Sequence, residues 1–273
     1  MPVLQTTLDV RSEAYQQNRS DMQEALEVLD RLQAEAAQGG GPEAMARLAS
    51  REKMPIRERV ARALDPDTPF LEISSIAGWR SPFAVGSGFV LGIGVISGVE
   101  CVILGHDPSV RAGAFNAFNS KKLMRGLEIA RENRLPYVQF VESAGADLRG
   151  QAGNEDPEAV IQRDEGHFAE SGRLFYEITE LSKMRIPTVS LVFGASTAGG
   201  AYQPGMSDYN IFIRNQSKVF LGGPPLVKMA TGEDADEESL GGADMHCTIS
   251  GLGDYLAEDE MDGIRILREV MTH

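Results

Sequence analysis

The stretch PTVSLVFGASTAGGAYQPGM at residues 187–206 decides how this 273-residue chain is interpreted. Its first part, 187–193, is a short apolar run of the kind that forms a buried strand. The small residues Ala198, Gly199, Gly200 and Ala201 follow and predict a turn into a short helix over about 198–206. Adjacent glycines let a ligand approach the backbone, and a helix start leaves N–H groups without acceptors. These groups suit a developing negative charge, although the same pattern also serves simple strand-to-helix packing.

Strand and helix patterns alternate on both sides of this stretch. From Phe70 to Gly105 the chain is rich in Val, Ile and Gly, which predicts several short strands. Further along, the spacing of apolar residues predicts helices over 120–133 and 164–184 and strands over 136–142, 187–193 and 209–213. This alternation favours an α/β domain in which crossover helices pack against a sheet.

The N-terminal part of the chain has a helical pattern instead. Residues 11–37 carry apolar or small residues at helical spacing, GGGP at 39–42 breaks the helix, and a second helical stretch runs from about Glu43 to Leu64. We therefore expect an N-terminal helical arm over residues 1–65 and one domain over residues 66–273. Such an arm packs either on a partner or neighbouring domain, or on its own core as a plain amphipathic helix.

Composition excludes several classes of function. The net charge of −14 argues against nucleic acid or an anionic membrane as the main partner, since phosphate binding needs a basic surface. No apolar stretch reaches the roughly 18–20 residues that span a bilayer, and the first residues lack the features of a secretory signal. Cys101 and Cys247 are the only cysteines and have no zinc-ligand spacing. We expect a soluble, cytoplasmic protein without a metal site.

Several charged residues and four histidines are candidate site residues. Lys121 and Lys122 follow Ser120, a candidate N-cap, and two cations in a first helical turn suggest a phosphate-binding site, although two solvated lysines are an equal alternative. A second basic group is more often a helix face, and a strand-end carboxylate more often caps backbone N–H groups than acts as a base. None of the four histidines has a spacing that suggests a catalytic triad or a metal site, and we expect His167 and His246 to be structural. The second basic group is Arg57, Arg59 and Arg62, and the strand-end carboxylate is Glu142. The four histidines are His106, His167, His246 and His273.

Four motifs in a fixed order carry a resemblance to a known family. They are SAGA at 143–146, AGGAY-x-P-x-MSD from 198, F-L-x-GPPLVK-x-ATGE from 220 and LGGA-x-x-HC-x-x-SG from 240. Together they resemble the β (carboxyltransferase) subunit of biotin-dependent acyl-CoA carboxylases, with the propionyl-CoA and methylcrotonyl-CoA carboxylase group nearest. The resemblance runs from about Arg51 to about Arg268. Members of the family usually carry two crotonase-like domains, and this chain corresponds to the first.

The resemblance implies a fold, a reaction and a set of site residues. The fold is an α/β, crotonase-like ββα spiral, and the reaction moves a carboxyl group from carboxybiotin to an acyl-CoA thioester. Gly199 and Gly200 take the role of the amide pair that stabilises the enolate. Coenzyme A binding is carried over to the loop after strand 136–142, to the basic pair and to the two alanines beside the glycines: Ser143, Ala144, Gly145, Ala146, Lys121, Lys122, Ala198 and Ala201.

The resemblance also implies partners. Biotin is carried by a partner protein, a biotin carboxylase or biotin carboxyl carrier subunit, and a C-terminal carboxyltransferase domain or subunit completes the active site in an oligomer. Two alternatives stay open: a biotin-independent, crotonase-like acyl-CoA decarboxylase, and a non-catalytic acyl-CoA-binding or assembly module. Departures from the family pattern at 114–119 and 203–209 leave the acyl group undecided.

Overall fold

A computed structural model describes residues 6–147 and 167–273, without the side chains of residues 167–171. The strands are β1 Leu71–Glu72, β2 Phe89–Ile96, β3 Val99–His106, β4 Tyr137–Ser143, β5 Thr188–Thr197, β6 Tyr209–Ile213, β7 Lys218–Phe220 and β8 Tyr255–Ala257. The α-helices are α1 Glu13–Ala37, α2 Pro42–Ala49, α3 Ile56–Ala63, α4 Ala117–Asn133, α5 His167–Lys183, α6 Tyr202–Gly205, α7 Pro224–Thr231, α8 Glu237–Gly241, α9 Ala243–Met245 and α10 Glu260–Val270.

The strands form one eight-stranded mixed sheet. The order is β1-β2-β3-β4-β5-β6-β8, and β7 pairs with the end of β5. Strands β1, β2 and β3 pair antiparallel with one another, whereas β3, β4, β5, β6 and β8 run parallel. Parallel strands need crossover connections, which α4 and α5 supply, as the alternation of patterns predicted.

Helices cover both faces of the sheet. Side chains of α3 and α10, such as Val60 and Ile264, pack with one face of β3–β6 in a single apolar core. Residues of α4 and α5, such as Leu127 and Ile178, form a second core on the opposite face. Burial on both faces explains why β4 and β5 are continuous apolar runs and not alternating ones.

The N-terminal part differs from the sequence-based expectation in one respect. The stretch from Glu43 to Leu64 is not one helix but two, α2 and α3, because the chain turns through a left-handed residue at Glu52 (φ 56°) after the end of α2. The residue before Pro55 also disfavours the α region. Helix α3 packs into the core of the sheet, which is one of the two arrangements expected for the N-terminal arm. Only Leu32 and Ala36 of α1 are buried, so the first turns of this helix are the part that extends from the domain. The division at residue 65 stays a prediction.

Among the described residues no helix is both long and apolar enough to cross a membrane.

Candidate functional site

The loop after β4 is fixed in position by its neighbours. Gly145 has a left-handed backbone (φ 85°), a conformation that glycine adopts without strain, and its N–H donates to the Ser143 hydroxyl at 3.1 Å. Its carbonyl accepts the N–H of Phe115 at 2.8 Å, and Ala146 forms a parallel bridge with the same residue. The loop 143–146 therefore lies against the segment that leads into α4.

The turn after β5 lies directly beside this loop. The strand continues to Thr197, longer than the predicted 187–193, and a 3₁₀ turn spans Ala198–Ala201 before α6. A Cβ added to Gly145 would lie 3.4 Å from the Thr197 carbonyl oxygen and 3.5 Å from the Ala198 Cβ. The structure thus brings together the two loops that the sequence analysis singled out.

Gly199 and Gly200 have different surroundings. Gly199 is exposed, a Cβ added there would meet no heavy atom within 4 Å, and it lies in the first turn of the 3₁₀ helix, where N–H groups generally have no partner within the helix. Gly200 is buried, and a Cβ there would lie 3.2 Å from both the Ser143 Cβ and the Ser196 Oγ. Gly199 therefore presents backbone to a ligand, whereas Gly200 is required for the close approach of the turn to β4.

An apolar pocket opens beside Gly199. Its volume is about 300 Å³. Its walls come from the segment before α4, from α4 itself, from α5 and from the two loops: Phe115, Ser120, Leu123, Met124, Ala146, Gly172, Leu174, Phe175, Ala198 and Gly199. The sequence analysis did not identify this pocket, because its apolar side chains look like ordinary core residues of two amphipathic helices until those helices are placed side by side.

The two lysines of α4 do not form a pair. The helix begins at Ala117, and its N-cap is Asn116 in a capping box with Asn119, so the expectation that Ser120 caps it is wrong. Lys121 is exposed, but Lys122 points into the protein with only 3% of its surface exposed and donates to the Phe89 carbonyl at 2.7 Å. Burial lowers the pKa of Lys122 from 10.5 to about 8. Of the two, Lys121 alone is accessible to a phosphate.

Glu142 and Arg59 belong to a buried ionic network. The Arg59 guanidinium contacts Glu142 at 3.0 Å and Glu260 at 2.8 Å and lies 4.2 Å from the centre of the Phe193 ring. Lys53 also pairs with Glu142. The expectation that Glu142 caps backbone N–H groups is therefore wrong: its two oxygens are taken by these cations. The network lies on the α3 face of the sheet, away from the pocket.

The other two arginines of α3 are also neutralised. Arg57 binds Glu72 through two hydrogen bonds, and Arg62 binds Glu58. The group at 57–62 therefore offers no free charge to a phosphate, in line with the alternative of a helix face.

Two histidines have structural roles, and for His246 this was expected. His246 is buried, with Nδ1 2.8 Å from the Ser250 hydroxyl and Nε2 2.8 Å from the Val219 carbonyl. His106 is fully buried and stacked on Phe89, and burial lowers its pKa to about 3, so it is neutral. The interpretation of His167 concerns a side chain outside the described residues. Within the described ranges no cluster of His, Cys, Asp or Glu could hold a metal ion.

The parallel sheet, the two strand-end loops and the apolar pocket define an α/β protein with the crotonase-like fold. Residues 48–273 match the carboxyl transferase domain, and the chain belongs to that family. This agrees with the resemblance found between Arg51 and Arg268.

Three relatives illustrate the similarity. The chain is 48% identical over 270 residues to a probable biotin-dependent acyl-coenzyme A carboxylase beta2 subunit of Mycobacterium tuberculosis. The matched region covers 99% of the chain and 49% of that protein. The geranyl-CoA carboxylase β subunit of P. aeruginosa is 39% identical with a TM-score of 0.86, over 99% of the chain and 48% of its own length. Transcarboxylase 12S, solved as a hexamer with methylmalonyl-coenzyme A bound, is 26% identical with a TM-score of 0.78, over 92% of the chain and 47% of its own length. The chain thus spans about half the length of these relatives.

Proposed function

We propose that this chain is a carboxyltransferase component that binds an acyl-CoA and supports transfer of a carboxyl group to its α- or γ-carbon. The observation that carries the proposal is that exposed Gly199, in the first turn of the 3₁₀ helix, lines the apolar pocket. A thioester whose acyl chain enters the pocket would have its carbonyl oxygen beside the N–H of Gly199.

The amide at Gly199 would act on the negative charge of the enolate. Removal of a proton from the α-carbon places charge on the thioester oxygen, and a preorganised N–H stabilises that charge most when water is excluded. The Gly199 N–H is fixed by the 3₁₀ turn and by the contact of that turn with the loop 143–146, so it needs no rearrangement during the reaction. Ala198, Ala201 and the loop 143–146 would then position the thioester.

The pocket is suited to an acyl chain. Its lining is mostly apolar, and Leu123, Met124 and Phe175 present side chains that exclude water from the region beside Gly199. A cavity of about 150 Å³ is known to hold one benzene ring in another protein. The present pocket, with about 300 Å³, therefore has room for propionyl and for longer or branched acyl groups.

The proposal assigns the remaining chemistry to a partner. Biotin bound on a partner protein supplies the carboxyl group and a ureido nitrogen that can accept the α-proton. This assignment agrees with the site, because Glu142, the carboxylate that directly precedes the loop 143–146, is paired with two cations and is not available as a base. A second carboxyltransferase domain or subunit would present biotin. The proposal also places the protein in the cytoplasm.

A reconstituted assay tests the proposed function. The chain is mixed with propionyl-CoA, bicarbonate, ATP, a biotin carboxylase and a biotinylated carrier, with and without a C-terminal carboxyltransferase domain, and methylmalonyl-CoA is detected by mass spectrometry. We expect product only in the complete mixture. Decarboxylation of methylmalonyl-CoA by the chain without biotin would support the decarboxylase alternative, and binding without turnover in the complete mixture would support a non-catalytic module.

A further inference from the structure

We propose that Gln139 is a positioning residue for the proposed carboxyl transfer, because it holds in place the segment that follows the turn of Gly199. The inference rests on the proposed function, since it concerns the amide that would stabilise the enolate. Gln139 does not line the apolar pocket, and it acts through Ser190, Gln203 and Ser207. These four buried or half-buried residues are called the Gln139 cluster below. The sequence analysis named none of them as a site residue.

Gln139 is the centre of a hydrogen-bond network inside the protein. It lies on β4 opposite Ser190 of β5, and none of its surface is exposed. Its side-chain NH₂ group donates to the Ser190 hydroxyl at 3.2 Å and to the Ser207 hydroxyl at 3.1 Å, with a longer contact of 3.5 Å to the Gln203 carbonyl. The Ser207 hydroxyl donates to the same carbonyl at 2.8 Å. One side-chain amide thus joins both parallel strands to the segment after the turn.

The cluster is connected to Gly199 through a short stretch of helical backbone. The 3₁₀ turn Ala198–Ala201 continues directly into α6, and the Tyr202 N–H donates to the Gly199 carbonyl. Gln203 is the next residue, so helical backbone runs without a break from Gly199 to the carbonyl that the cluster holds. The other end of the turn is fixed by β5. A change in the cluster would therefore change the direction of the Gly199 N–H.

A second attachment keeps this segment on the sheet without Gln139. Both the N–H and the hydroxyl of Thr188 donate to the Asp208 carboxylate at 2.9 Å, and the Asp208 N–H donates to the Thr188 carbonyl at 3.0 Å. We therefore expect loss of the Gln139 amide to tilt the turn and not to detach it.

The cluster is not arranged for stability. The Oε1 atom of Gln139 and both side-chain polar atoms of Gln203 are buried without a hydrogen-bond partner among the described residues. Such atoms cost stability, and apolar side chains of the same shape avoid that cost. Polar groups that break this rule are expected where function requires a particular geometry.

Replacement of Gln139 by methionine separates positioning from folding. Methionine has a similar shape and removes the unpartnered Oε1 atom, and the Ser207 hydroxyl can still donate to Gln203. We expect a melting temperature equal to or above that of the wild type. The kcat in the reconstituted system should fall about tenfold or more, since a misplacement of about 1 Å can cost a factor of about 100. Binding of propionyl-CoA should stay within about threefold of the wild type, because the group acts on the transition state.

Two further positions provide the controls. Tyr137 precedes Gln139 on the same face of β4, and its buried hydroxyl has no partner among the described residues. Tyr137→Phe therefore removes a buried polar atom from the same strand without altering the cluster, and kcat should be unchanged. Ser207→Ala should lower kcat as Gln139→Met does, whereas Ser207→Thr keeps the hydroxyl and should restore it.

The position of the turn can also be recorded without turnover. Protein labelled with ¹⁵N-glycine shows only the amide signals of its 29 glycines, and the signal of Gly199 is assigned by its loss in Gly199→Ala. We expect this signal to shift in Gln139→Met and in Ser207→Ala and to keep its place in Tyr137→Phe.

Three results would overturn the inference. A Gln139→Met variant with kcat within about threefold of an active wild type would leave the proposed function intact and remove the positioning role. A parallel loss of kcat, propionyl-CoA binding and melting temperature, with no shift of the Gly199 signal, would make Gln139 a purely structural residue. Absence of methylmalonyl-CoA with the wild-type chain in the complete mixture would refute the proposed function and this inference together.

Discussion

Replacement of Gly199 by valine is the perturbation that separates the proposed chemistry from folding. The new side chain would project into open space, since a Cβ at this position meets no heavy atom within 4 Å. The backbone of Gly199 is not left-handed, so an L-residue fits without strain. Valine also has a higher helix propensity than glycine. We expect the free energy of unfolding to change by less than about 0.5 kcal/mol.

The effect on turnover should be much larger. A valine at Gly199 adds a branched side chain to the lining of the pocket, beside the N–H that would contact the thioester oxygen. Loss of one oxyanion donor typically reduces kcat by a factor of about 100 to 1,000, or about 2.7–4 kcal/mol of transition-state stabilisation. By contrast, Gly200→Ala should mainly reduce stability, because its Cβ would lie 3.2 Å from atoms of Ser143 and Ser196.

The assay compares Gly199→Val with a matched control in the reconstituted system. Gly205 is also exposed, has no heavy atom within 4 Å of an added Cβ and lies at the end of α6, beyond the 3₁₀ turn. Gly205→Val should therefore keep wild-type turnover. Urea unfolding verifies that both variants are folded. If Gly199→Val kept a rate within about threefold of the wild type, the oxyanion role of this amide would be refuted.

Three further predictions concern stability and specificity. Lys122→Met should raise the free energy of unfolding near pH 7.5 by up to about 3 kcal/mol, because burial lowers the pKa of Lys122 from 10.5 to about 8. Loss of the hydrogen bond to the Phe89 carbonyl reduces this gain. Because the unfolded state binds more protons between those two pKa values, wild-type stability should rise relative to the variant from about pH 8 to 10; equal slopes in urea titrations would contradict this. Arg59→Met should cost about 3–5 kcal/mol in urea unfolding, since it leaves the buried carboxylates of Glu142 and Glu260 without their common cation, and a loss under 1 kcal/mol would show that the network relaxes. Met124→Trp should fill part of the pocket and weaken hexanoyl-CoA binding about tenfold while acetyl-CoA binding stays the same; an equal loss for both would place the acyl chain outside the pocket.

The sheet and its helices could be predicted because their patterns are local. The strand 209–213 was placed at its observed bounds, and strand 136–142 and helix 120–133 lie within three residues of theirs. The start of α4 was misplaced because Asn116 and Asn119 cap it through a reciprocal pair of side-chain hydrogen bonds, whereas Ser120 offered a simpler N-cap pattern. The break before Pro55 was missed because helical spacing on both sides suggested one helix.

The site was predictable only in its backbone. The loops 143–146 and 198–201 could be identified from small residues at strand ends, and the parallel pairing of Ser143 with Ser196 brings them together. Long-range contacts were not predictable. The burial of Lys122 under β2 and the pairing of Glu142 with Lys53 and Arg59 join residues that are 33 to 89 positions apart. The pocket likewise depends on the packing of α4 against α5, and the sequence of either helix alone does not indicate it.

The most direct test of the central claim, that this chain alone forms the coenzyme A half of the site, is calorimetric titration with propionyl-CoA, with free coenzyme A and propionate as controls. We predict saturable binding of propionyl-CoA and coenzyme A, because the loops and the pocket that would hold them are formed within the chain. Propionate should not bind measurably. Absence of binding by propionyl-CoA would contradict the claim and show that these residues do not form a coenzyme A site by themselves.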